Sequence, residues 1–221
     1  MNTPASREGN LIRYIVYFIC YLMTAGVIKL VIENLPIHIW NFILFATISL
    51  MVLLFFIYRF NREQRFFAPG LARSWIISNF ALIIGMTLLI TVFRISISWL
   101  QSYNHLQLYG LQTTYLHHEG VANYWFFVIA LGIVLPILQE FLITGFLFNY
   151  AFRRDNVPTA IWGIITSGIL FSLLNWQNSA TLLLINFFFG AIFAWSYLYT
   201  QTLWMPIYLS VLNGVLLLIM T

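Results

Sequence analysis

Apolar runs long enough to cross a lipid bilayer dominate this chain and leave essentially one class of fold open to it. A helix needs about 20 residues to cross about 30 Å of hydrocarbon, with a lower limit near 17. In lipid, every backbone N–H and C=O must be satisfied internally, which leaves helices or a closed barrel. Seven segments read as spans: Leu11–Ile32, His38–Tyr58, Ser74–Leu100, Asn123–Phe152, Thr159–Asn175, Thr181–Thr200 and Leu203–Met220. Composition agrees, because 62% of the 221 residues are hydrophobic and 7% charged, against about 25% charged in soluble domains. The expected fold is all-α, a polytopic transmembrane helical bundle of about seven spans. Leu11–Ile32 is longer than the apolar core of a signal peptide and no clean cleavage pattern follows it, so it reads as a retained helix.

The net charge of +4 is not a nucleic-acid signal, because the basic residues fall between spans. Arg7, Arg13, Arg59, Arg62, Arg65, Arg73, Arg153 and Arg154, eight of the ten basic residues, share one side if the N-terminus is cytoplasmic. That asymmetry orients the chain, with Thr221 outside. Lys29 and Arg94 fall elsewhere and are read as snorkelling from span ends. Trp40, Trp75, Trp99, Trp125, Trp176 and Trp204 lie near span edges, as an interfacial belt requires. Cys20, alone in the chain, reads as a small packing residue. Gly163 with Ser167, and Gly190 with Ala194, give small faces on which helices can approach closely.

Three later spans carry polar residues at helical spacing. Gln139-Glu140 precedes Thr144-Gly145, Phe171 precedes Asn175 by four, and Pro206, Ser210 and Gly214 follow in four-residue steps. Such spacing sets residues on one helical face. These positions, with the segment from Phe188 to Pro206, resemble the CPBP family, which includes CAAX prenyl endopeptidases and bacteriocin-immunity relatives. Its pattern reads Glu-Glu-x-x-x-Arg, Phe-x-x-x-His and His-x-x-x-Asn. The resemblance runs from about Trp125 to the end and divides the chain into a three-span region, residues 1–122, and a CPBP-like four-helix core, residues 123–221.

The same resemblance implies that the chemistry has gone. Gln139 stands at the first Glu position, implied to activate water, and an amide has no basic lone pair for that proton. Glu140 keeps the second Glu position but points about 100° away from its neighbour. Thr144 replaces the Arg, Asn175 and Ser210 replace the two His, and Gly214 replaces the Asn, with Asn213 one residue earlier. These seven form a vestigial site with no catalytic residue. A polar residue in a membrane helix also has a plainer reading, as an interhelical hydrogen-bonding group worth about 1 kcal/mol. A common pocket meets a geometric obstacle: at 1.5 Å per residue, Asn175 lies roughly 25 Å along its helix and Ser210 roughly 10 Å. Tilt, or a last helix that begins below the surface, is needed.

Other chemistries lack residues. His38, His105, His117 and His118 fall in loops or at span edges, there is no His-Glu-x-x-His, and Asp155 is the sole Asp. No metal site and no cofactor is expected, even from His117-His118-Glu119. The expected function is therefore a catalytically inactive CPBP-like protein of a bacterial plasma membrane. It would act as a binding, scaffold or regulatory subunit for an integral membrane or cell-envelope protein, bacteriocin immunity included, with lipid around it and no nucleic acid. The alternatives are an intramembrane endopeptidase rearranged around Glu140, and a transporter or lipid-handling subunit. Gln101–Val121, a polar connector with Tyr103, Tyr109 and Tyr115, is the expected outer contact surface.

Overall fold

The computed structural model describes residues 7–35, 37–62, 80–117, 120–152 and 156–220. The basic connection from residue 63, Trp75, His118, Glu119, Arg153, Arg154, Asp155, Thr221 and the Arg7 side chain lie outside the described residues. The described elements are all helical: α1 Arg7–Glu33, α2 Ile39–Arg62, α3 Phe80–Ser102, α4 Gly110–His117, α5 Val121–Tyr150, α6 Val157–Leu174, α7 Ala180–Thr200 and α8 Trp204–Ile219. Six of them, from Glu8–Glu33 through Ala180–Thr200, are long and apolar enough to cross a membrane. The last apolar helix, α8, has 16 residues, about 24 Å at 1.5 Å per residue, and falls short of a full span.

Helix ends follow from local chemistry. Asn156 caps α6 by accepting from the Thr159 N–H at 2.9 Å, and Pro158 in the first turn loses no hydrogen bond there. Gln201 closes α7 in the left-handed region, with φ 56°, and turns the chain directly into α8.

The 30-residue α5 is the central post, with most of its side chains inward. It is not uniform: Val128–Val134 and Phe141–Phe146 are π-helical, on either side of the α-helical turn Leu135–Glu140. Pro136 contributes a reason, since it has no N–H for the carbonyl of Gly132 four residues back. Around this post, Tyr17 of α1 stacks on Phe146 at 4.1 Å between ring centroids, and Phe56 of α2 meets Phe146 edge-on at 5.4 Å.

α6 and α7 form a tight hairpin. A Cβ on Gly190 would lie 3.1 Å from the Gly168 Cα, and Ser172 Oγ donates to the Leu183 carbonyl at 2.7 Å. Ser167 Oγ donates to the Ile143 carbonyl at 3.1 Å, which ties α6 to α5. The small residues of these helices thus admit close backbone approach, as their spacing implies. Trp40, Trp99, Trp125, Trp176 and Trp204 are exposed on the bundle surface, where a lipid interface would meet them.

Candidate functional site

The turn Leu135–Glu140 presents two adjacent polar side chains to different surroundings. Gln139 and Glu140 are both fully enclosed, at 2% and 0% exposure. Gln139 lines a cavity of about 70 Å³, well above the roughly 10–15 Å³ that a single water needs. Asn175 at the end of α6, and Ser210, Asn213 and Gly214 of α8, line the same cavity. The geometric obstacle is met by the short last helix. The chain turns at Gln201 and starts α8 at Trp204, so that Ser210 and Asn175 border one space.

Glu140 and Thr144 are not among the residues lining that cavity. Thr144 Oγ1 donates to Glu140 Oε2 at 2.6 Å, which occupies one carboxyl oxygen where the resembled pattern would place an Arg. Glu140 Oε1 has no hydrogen-bond partner among the described residues. Gln139 Nε2 is likewise buried without a partner among the described residues. A buried donor without an acceptor costs about 1–3 kcal/mol, and the cavity beside Gln139 has room for water to meet it.

Asn175 is engaged locally: Nδ2 donates to the Phe171 carbonyl at 2.9 Å, and its own carbonyl accepts from Asn186 Nδ2 at 2.9 Å. Gly214 is a packing residue. A Cβ there would lie 3.0 Å from the Gly132 carbonyl oxygen and 3.2 Å from Pro136 Cγ, so α8 meets α5 backbone to backbone.

Arg94 corrects the sequence reading. It does not snorkel: it is 3% exposed and lines the cavity. Its Nε donates to Asn213 Oδ1 at 2.6 Å and Nη1 to the Tyr109 hydroxyl at 3.3 Å. The guanidinium centre lies 4.7 Å from the Phe189 ring centroid and 5.3 Å from that of Tyr109, within cation–π range. Among the described residues it has no acidic partner. Snorkelling fails because Arg94 lies eight residues before the end of α3 at Ser102, about 12 Å by helical rise, on the face turned toward α8.

The connector 101–121 is also corrected. It is neither a bare loop nor wholly a surface. α4 forms inside it, and Tyr109 and Gln112 are each 2% exposed. Gln112 Oε1 accepts from the Tyr109 N–H at 2.8 Å and from Gln101 Nε2 at 3.3 Å. Gln177, after α6, accepts from the Gly110 N–H at 3.0 Å. Tyr109, Leu111 and Gln177 border the cavity, so the connector caps one end of it. Tyr103 remains 60% exposed, whereas Tyr115 packs on Tyr124 and Phe127.

Sequence reasoning thus missed Arg94, Tyr109, Gln177 and Asn186. A signal existed for two of them, since an ionisable or amide side chain well inside an apolar span warrants a functional question by default. None existed for Tyr109, whose polar neighbours imitate a solvated connector. Among the described residues, no three His, Cys, Asp or Glu gather as a metal site.

The family model described as Type II CAAX prenyl endopeptidase Rce1-like matches residues 121–216. That stretch holds Gln139, Glu140, Thr144, Asn175, Ser210, Asn213 and Gly214, while Arg94 and Tyr109 precede it. Comparison with curated proteins and with solved structures gives no match. The second part of this membrane protein is therefore similar to CAAX-protease-type proteins.

Proposed function

We propose that this chain is a catalytically silent relative of the CAAX prenyl proteases, whose former active-site cavity serves binding. In this reading it is a scaffold or regulatory subunit for an integral membrane or cell-envelope protein in a bacterial plasma membrane, with immunity to a bacteriocin as one such role. One observation carries the proposal: the cavity at the motif positions is lined by Gln139, Asn175, Ser210 and Arg94, with no carboxylate or imidazole among the described residues that line it. Peptide hydrolysis of this type needs a base for the attacking water. Glu140, the remaining acid, is bonded to Thr144 and does not border that space.

The test has two arms, both on the full chain in mild detergent. Incubation with prenylated and unprenylated peptides should give no cleavage above a denatured control. Affinity purification should recover a membrane or envelope protein, and Gln139→Ala or Ser210→Ala should weaken that recovery. Turnover that is abolished by Glu140→Gln would overturn the proposal in favour of an endopeptidase built on Glu140.

A further inference from the structure

We infer that the cavity is an anion site whose occupant is a single carboxylate carried on an apolar stem. The inference rests on the reading of this cavity as a binding site and adds the chemistry of its ligand.

Three observations converge. First, Arg94 is a buried cation with no acidic partner among the described residues. A lone charge away from water is costly, and its cost falls when an opposite charge arrives. Second, its bonds are neutral and partial: Nε is taken by Asn213 and Nη1 by Tyr109, while Nη2 has no partner among the described residues. The Tyr109 and Phe189 rings lie within cation–π range of the guanidinium, and neither supplies a negative charge. Third, Gln139 Nε2, on the opposing helix and lining the same cavity, is a fully buried donor without an acceptor. A cation and an unused amide donor bordering one small space describe a receptor for an acceptor-only group.

Charge balance selects the ligand. One guanidinium neutralises one negative charge, and a dianion would bring a second for which the described lining residues hold no cation. The cavity is small, about 70 Å³, which favours a compact anionic head. The remaining wall, Leu131, Leu135, Phe171 and Leu217, is apolar and suits a hydrocarbon stem. The position where the resembled hydrolases carry an anionic base is thus a neutral amide here, and the net charge of the lining is positive.

The experiment uses the full chain in nanodiscs of neutral phosphatidylcholine, where no anionic headgroup competes. Octanoate is compared with octanamide, and an apolar tripeptide with a free C-terminus is compared with its C-terminal amide. Binding is read by thermal shift and calorimetry. At least one acid should bind roughly tenfold or more tightly than its own amide, as a charge-assisted bond requires. The pair that shows the preference distinguishes a fatty acid from a peptide terminus as the source.

Arg94→Gln should abolish the preference, and Gln139→Leu should reduce it while leaving Arg94 in place. If Arg94→Gln does not fold, the acid-to-amide ratio in the wild type and in Gln139→Leu decides. Equal affinity for acid and amide, or a preference that survives Arg94→Gln, would overturn the anion site. Either result leaves partner recovery and the absence of cleavage intact, so failure here is distinct from failure of the proposed function.

Discussion

Arg94 Nε and Asn213 Oδ1 meet at 2.6 Å across 119 residues of sequence, and this bond joins the motif-free first part of the chain to the last motif helix. Replacing Asn213 strands the guanidinium's best acceptor in a buried site. Asn213→Ala should lower stability by about 1.5–3 kcal/mol, the range for hydrogen bonds to charged groups. Asn175→Ala should cost less, because Asn175 is only half-buried and its side chain bonds its own helix end. Thermal denaturation of the two variants in one detergent checks the order.

Thr144 satisfies one oxygen of an otherwise enclosed carboxyl. Thr144→Val keeps the shape and removes the donor, and should destabilise by about 1–3 kcal/mol. Glu140→Gln in the same background should recover part of the loss. If the double variant is as unstable as the sum of the single ones, the two residues are not coupled.

Gly214 and Gly26 make a paired test of the packing argument. A methyl at 214 meets the Gly132 backbone at 3.0–3.2 Å, whereas one at 26 meets nothing within 4 Å. Gly214→Ala should cost about 1–3 kcal/mol through overpacking. Gly26→Ala, inside a helix, should be neutral or gain up to about 1 kcal/mol. Melting temperatures that fall equally would refute the close contact of α5 with α8.

Orientation is tested with a membrane-impermeant thiol reagent on intact cells in a Cys20→Ser background. Both Arg62 and Thr113 are exposed and end up on opposite sides under the basic-residue asymmetry. A cysteine at Thr113 should label from outside and one at Arg62 only after lysis. The reverse pattern would invert the proposed topology.

The helices and their order were legible in the apolar runs, because lipid forces each run to satisfy its own backbone. The placement of Gln139, Asn175 and Ser210 around one space was approachable through four-residue spacing. The depth of Arg94 was not. Distance to a span end is a property of one helix, but burial is decided by which neighbour it faces, and only packing against α8 reveals that. The connector failed for a related reason: Gln101, Gln107 and Gln112 look solvent-bound in sequence, yet they bond one another around the Tyr109 backbone. Nor do two π-helical stretches in one apolar run announce themselves, although Pro136 marks where the regular ladder loses a donor.

The contact between Gly132 and Gly214 restricts which residues position 214 can hold. An Asn at 214 would bring its Cβ to 3.0 Å from the opposing carbonyl, so α5 and α8 would first have to part. Their separation would in turn disturb Asn213 and its hold on Arg94. A polar side chain at 214 is thus penalised by packing before it can contribute any chemistry. The close seam between these two helices acts as a steric filter on one wall of the cavity, whatever that cavity binds.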